Sequence, residues 1–286
     1  MARTPIAPIV SSLAVSLLVL ASPIPVVAQT VVTTCGQEAS GSATLSADLD
    51  CTGFDGYAVT MHGGTLTMNG HTITGGSIGI QCDRTCKIVG PGTVTASTFV
   101  GVNAFNVGLK MSQVDVTDCG YFGAQVWHSA AIEGPAVFSG NGGAIRVGAK
   151  AKIKDVTITG NGAGVDAENN AKTGSIQVQL STISGNSGTA LRAQRGITVT
   201  DSTVMDNGES GVFAAGGYCE KNAGASITRS TVTGNGTAPG AALNRVCADV
   251  ATCKRRPRVK EGSTCGTSHQ IESGNPGSDW DVCTLD

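Results

Sequence analysis

Charge of either sign is scarce in this chain. The formal net charge is −2 over 286 residues, too small to suggest a nucleic-acid partner. Long helix formers are few, and no stretch carries the 3.6-residue apolar period of an amphipathic helix, which argues against a helical fold. Aromatic residues make up only 4% of the chain. An apolar run long enough to span a bilayer is missing too: residues 12–21, SLAVSLLVLA, are too short, and nothing later resembles a second span. That run instead has the form of a secretory signal. Arg3 gives a short basic start, Pro23 and Pro25 break the run, and Val26-Val27-Ala28 offers small residues before a cut. We expect residues 1–28 to be a signal peptide with no lipid-anchoring cysteine at the cut. The mature chain, secreted, periplasmic or at the cell surface, then has no transmembrane segment.

Glycine is abundant, 40 of 286 residues, about twice the usual ~7%. Together with frequent threonine this points to all-β structure with many tight turns. The turns are punctuated by a repeat. DVTITGNGAGV at 155–165 returns as LSTISGNSGTAL, DSTVMDNGESGV and RSTVTGNGTAPGAAL. Aligned on Asn161, the equivalent positions are Asn141, Asn186, Asn207 and Asn235, with Gly76, Ser97 and Cys119 upstream, where the Asn is lost. The intervals run from 20 to 28 residues, so one supersecondary unit recurs about eight times.

Three positions before the Asn stand Ile73, Val94, Val116, Phe138, Ile158, Ile183, Val204 and Val232. Eight before it stand Met68, Val89, Met111, Val178, Val199 and Ile227; a few after it stand Ile80, Val102, Ile145, Val165, Leu191, Val212 and Leu243. Each unit therefore holds about three short strands with alternate residues inward. No unit buries its apolar face alone, so the units stack at about 4.8 Å into a tube of about 35–40 Å. The Asn is expected at a sharp bend, itself in the left-handed conformation, with its amide bonded to the same amide one coil away.

This pattern, from about 60 to 245 and including TLTMNGHTITGG at 65–76, resembles the right-handed parallel β-helix repeat of the pectate-lyase-like superfamily, of the exported bacterial type. The resemblance implies the right hand of the coil and a family rich in polysaccharide handlers. The expected organisation is a signal peptide (1–28), an N-terminal cap (29–60), a parallel β-helix of about eight coils (61–244) and a Cys-rich C-terminal cap (245–286). Covers are needed because an open solenoid end exposes core and unpaired edges. All ten cysteines lie in the exported part, so disulfides are expected to staple the ends. The candidates are Cys35, Cys51, Cys82, Cys86, Cys219, Cys247, Cys265 and Cys283. Cys219 and Cys247 are spaced like Asn207 and Asn235, which would stack them on adjacent coils. Cys119 and Cys253 receive no partner.

The candidate sites follow from the outward positions. A column just past the third strand runs Gln81, Asn103, Trp127, Arg146, Asp166, Arg192, Phe213, Asn244, with Gln125 as the alternative at the Trp127 level. His128, Glu168 and Arg195 lie beside it. Aromatic faces stack on sugar rings and Arg pairs with carboxylates, so Trp127, His128, Arg146 and Arg192 are the substrate-binding candidates for an acidic polysaccharide. The bland alternative is an Arg-Asp-Arg charge ladder on a solvated sheet. Asp166 and Glu168 are the catalytic candidates for lyase, hydrolase or epimerase chemistry, with Asp201 and Asp206 further along. No Ca²⁺-binding acidic cluster of pectate lyases, no Asp-Asp with Gly-His-Gly, and no Asp-Pro-His-Asp is present.

His71 shares a column with Val114, Val156, Ser181 and Ser202 and reads as a hydrogen-bonded core histidine. His62 and His269 have no companions at metal-ligand spacing, so no metal or other cofactor is expected. Thr-x-Thr pairs at 72–74, 93–95, 157–159 and 231–233 are similar to the ice-binding face of β-solenoid antifreeze proteins, although Asp115, Val137 and Met205 interrupt them. KRRPRVK at 254–260 forms a basic loop, and the sequon at Asn235 falls within the Asn ladder. The reading is a monomeric protein that binds, and in one form processes, an extracellular or cell-surface glycan. The alternative is a non-catalytic surface, matrix or adhesion protein, and ice binding is a third reading.

Overall fold

The computed structural model describes residues 29–167, 174–214, 224–236, 243–247, 258–266, 268–272 and 275–279. The expected signal peptide, Glu168, Cys219, Cys253 and Cys283 lie outside these residues. Every described element is a β-strand, and the strands form one continuous parallel ladder that coils about eight times. One antiparallel pair closes the described chain: Asn275–Asp279 returns on Ser268–Glu272.

The cross-section has three sides. Face I is built from 59–61, Ile78–Cys82, Val100–Ala104, Phe122–Val126, Gly143–Val147, Val165–Ala167, Leu191–Ala193 and Val212–Ala214. Face II is built from 64–67, 86–89, 109–112, 130–133, 150–154, Ser175–Gln179, Gly196–Thr200, Gly224–Thr228 and Arg258–Lys260. Face III is built from Thr72–Gly75, 92–95, 114–117, 136–139, 156–159, Thr182–Ser184, Thr203–Met205, Thr231–Thr233 and Thr264–Cys265. The ladder also reaches back to 37–44, which pairs with 59–67.

Each face sends apolar residues inward in columns. On face III, Ile73, Val94, Val116, Phe138, Ile158, Ile183, Val204 and Val232 are in register and fully buried. The face I column, Ile80 to Val212, stacks likewise. The face II column differs from a fixed count of eight. Ile88, not Val89, is in register with Leu66 and Met111, and Val89 is half-buried beside Ser112. The reason is an extra residue at Gly90-Pro91, where the register shifts between Val89 and Gly92, while the next coil turns the same corner on Gln113 alone.

The corner between faces III and I carries the Asn ladder. Asn141, Asn161, Asn186, Asn207 and Asn235 are all buried. Asn141 Nδ2 donates to Asn161 Oδ1 at 2.9 Å, Asn161 to Asn186 at 2.9 Å, Asn186 to Asn207 at 2.8 Å and Asn207 to Asn235 at 2.7 Å. Each of these Oδ1 atoms also accepts the backbone N–H of the preceding Asn, at 3.0 to 3.2 Å. The left-handed residue is not the Asn but the one before it: Gly140, Gly160, Gly185, Asp206 and Gly234 have φ between 54° and 67°. The turn therefore falls one residue earlier than expected, and the Asn is left to turn its amide inward.

A second ladder lines the corner between faces II and III. Ser181 N–H donates to Ser202 Oγ and Ser202 N–H to Ser230 Oγ, both at 3.1 Å. Again the preceding residue, Leu180, Asp201 or Arg229, is left-handed. Cys35–Cys51 and Cys82–Cys86 are disulfides near the N-terminal end. Cys265 is disulfide-bonded as well. Cys119 is a buried free thiol, and burial pushes its pKa up.

Candidate functional site

Face I turns one column outward whose members are strand neighbours: Thr60, Gln81, Asn103, Gln125, Arg146, Asp166, Arg192 and Phe213. Gln125 holds the position between Asn103 and Arg146, so Trp127 does not belong to the column. Trp127 follows the end of strand Phe122–Val126 and stands exposed at the corner towards face II, with His128 exposed next to it. The spacing misleads there because Val126 is inward, and the next outward residue is already past the corner.

The column is bonded along the solenoid axis. Asn103 Nδ2 donates to Gln81 Oε1 at 2.8 Å, and Gln81 Nε2 donates to Asp83 at 3.0 Å. His62 lies between Glu38 and Asp83, at 3.1 Å from each. Arg146 Nη1 donates to Tyr121 Oη at 3.4 Å, and its guanidinium stands 5.6 Å from the Phe122 ring. Arg192 lies 5.5 Å from the Phe213 ring. Asp166 is in register with Arg146 on one side and Arg192 on the other.

Aromatic rings flank this column. On the leading edge Phe99 and Tyr121 stack at 5.0 Å with planes 10° apart, and Tyr121 meets Phe122 edge-on at 4.5 Å. Phe122 lies over Gly143, where an added Cβ would meet the ring at 2.4 Å. On the trailing edge Phe105 and Trp127 meet edge-on at 5.4 Å. Among the described residues Phe138 is the one aromatic side chain in the core, while Phe99, Phe105, Tyr121 and Trp127 are each 42–51% exposed. The described rings are thus spent mainly on the surface.

The remaining candidates are placed as follows. His71 is not a core histidine: it sits at the bend before Thr72–Gly75, part-exposed, 3.3 Å from Asp48. Asp201 lies on the serine corner, away from face I, and pairs with Arg229 through two bonds of 2.6 and 2.8 Å, which lowers its pKa. The threonine pairs line face III in register, and Thr117 Oγ1 donates to Thr95 Oγ1 at 2.8 Å. Arg258 and Lys260 of the basic run lie exposed on face II, and 254–257 fall outside the described residues. The chain has no match among protein-family models, curated proteins or solved structures.

Proposed function

We propose that the protein is an exported solenoid that binds an extracellular polysaccharide on face I. The exposed rings at both edges of a bonded polar column carry this reading. Rings stack on the apolar faces of sugars, while Asn103, Gln125 and Arg146 offer donors and acceptors to hydroxyl and carboxylate groups. Neighbouring coils repeat about every 4.8 Å, so an extended polymer meets the same chemistry repeatedly along the axis. The repeat's resemblance to pectate-lyase-like proteins and the signal-like first 28 residues support an exported glycan binder.

Binding fits the geometry better than cleavage. Glycoside hydrolysis uses two carboxyl groups across the scissile bond, and Asp166 has an arginine as its neighbour on each side. The test is a titration of the mature protein with neutral and acidic polysaccharides, in a Trp280→Phe background so that Trp127 reports alone. A saturable fluorescence change is expected, and Tyr121→Ala with Trp127→Ala, which carries no tryptophan reporter and is read by calorimetry, is expected to bind about tenfold or more weakly, since each stacked ring contributes about 0.5–1.5 kcal/mol. New reducing or unsaturated ends would make it an enzyme. No binding to any glycan would overturn the reading in favour of a structural or adhesive solenoid.

A further inference from the structure

Face II has a chemistry of its own. Its first outward column runs Lys87, Lys110, Ala131, Lys152, Gln177, Thr198, Ser226 and Arg258. Lys150 and Lys154 flank Lys152 on the same strand, and all five lysines are exposed. Lys87 and Lys110 are direct strand neighbours, an arrangement that destabilises a sheet when nothing offsets it. Among the described residues, none of these lysines joins an ion pair. Glu133 is the one carboxylate in the described strands of this face. In a chain of net charge −2, positive charge is therefore gathered on one side.

The lysines frame a recess. Ala131 occupies the column position between Lys110 and Lys152, and with Gly108 and Ala130 it leaves a cleft of about 290 Å³ bordered by Lys110, Lys150 and Lys152. A small apolar base with ammonium groups around it suits a sugar ring bearing an anionic group. Along the strand the lysines repeat at about 6.7 Å and across it at multiples of about 4.8 Å, an extended grid that matches a row of charges better than a single anion.

We propose that face II is a second binding surface, for an acidic polysaccharide, with one anionic sugar between Lys110, Lys150 and Lys152 and its neighbours on Lys87 and Lys154. It does not depend on the face I reading. The experiment measures binding of polygalacturonate, dextran sulfate and neutral dextran to the mature protein. The comparison protein is the Lys110→Gln, Lys150→Gln, Lys152→Gln variant, with its folding checked by thermal melting. The expected result is binding of both acidic polymers by the protein carrying Tyr121→Ala with Trp127→Ala, which removes the face I rings, weakened at least tenfold when the triple variant is added and by raising salt from about 50 to about 200 mM. Equal binding by the triple variant, equal binding of neutral dextran, or binding only to phosphatidylserine vesicles would overturn it. Loss of binding in the aromatic variant alone would place the acidic polymer on face I and also overturn it.

Discussion

The two halves of the solenoid close the same corner by different means. From Asn161 to Asn235 each amide accepts two bonds from the coil before it. From Gly76 to Cys119 the position is held by three unlike residues. Ser97 Oγ donates to Gly75 O at 3.2 Å, and the Cys119 thiol to Thr117 O at 3.4 Å. The half without amides is the half with the disulfides Cys35–Cys51 and Cys82–Cys86, and the cross-linked Cys265 lies beyond the last ladder Asn. A cross-link over 16 residues contributes about 3 kcal/mol in the chain-entropy model, comparable to one ladder amide. The described covalent reinforcement thus sits outside the length of tube that the amides hold.

Removing an amide is the strongest way to break this comparison. Asn186→Leu strips the acceptor from Asn161 N–H, one of three acceptors from Asn161 Nδ2, and a side-chain donor from Ile158 O. At about 1–3 kcal/mol per orphaned buried group, a loss of at least about 2 kcal/mol is expected in chemical denaturation. A loss below about 1 kcal/mol would show that the corner tightens without the amide.

Extending the ladder sharpens the comparison. Cys119 N–H already donates to Asn141 Oδ1 at 3.0 Å. Gly101 faces Cys119 as Gly123 and Gly211 face Asn141 and Asn235, so the space an amide needs is in place. Cys119→Asn is expected to raise stability by about 1 kcal/mol, read as a higher denaturation midpoint. A fall would mean that the N-terminal corner is built to a different width.

The smallest effect is at the serine corner. The Arg229 guanidinium beside Asp201 lowers the carboxyl's pKa in the folded state. The pair therefore stabilises above the ordinary carboxylate pKa, and that contribution is lost as pH falls through the lowered value. Asp201→Asn should remove this slope from a melting-temperature profile between about pH 5 and 2, lowering the neutral-pH value slightly and leaving the value near pH 2 unchanged. An unchanged slope would assign it to other carboxylates.

Much of the fold is legible because the chain marks one corner of five coils with Asn and keeps Ile, Val or Phe three positions earlier. What a count along the chain misses is local length. The added residue at Gly90-Pro91 turns Val89 outward, and the corner after Val126 puts Gln125, not Trp127, in the polar column. Asn tolerates a left-handed bend, yet Gly160 and its equivalents make the turn one residue earlier. Lys87, Lys110 and Lys152 carry no signal in the sequence, because they are more than 20 residues apart and meet only once the coils are in register. Asp166 is visible as a carboxylate between arginines, and Glu168 lies outside the described residues.

The direction of the amide bonds has a consequence for how such a tube is completed. Each Asn reaches back to a carbonyl of the coil before it, as Asn161 Nδ2 does to Phe138 O at 2.9 Å. The bonds it donates to another amide run only forwards, to the Asn of the C-terminal coil. A coil just laid down is therefore anchored behind, while its backbone N–H and part of its amide still wait for the next Oδ1. The newest edge is the adhesive one, and the finished edge behind it is saturated. A chain emerging N-terminus first meets this asymmetry in the order in which it appears, so each coil is a template for its successor.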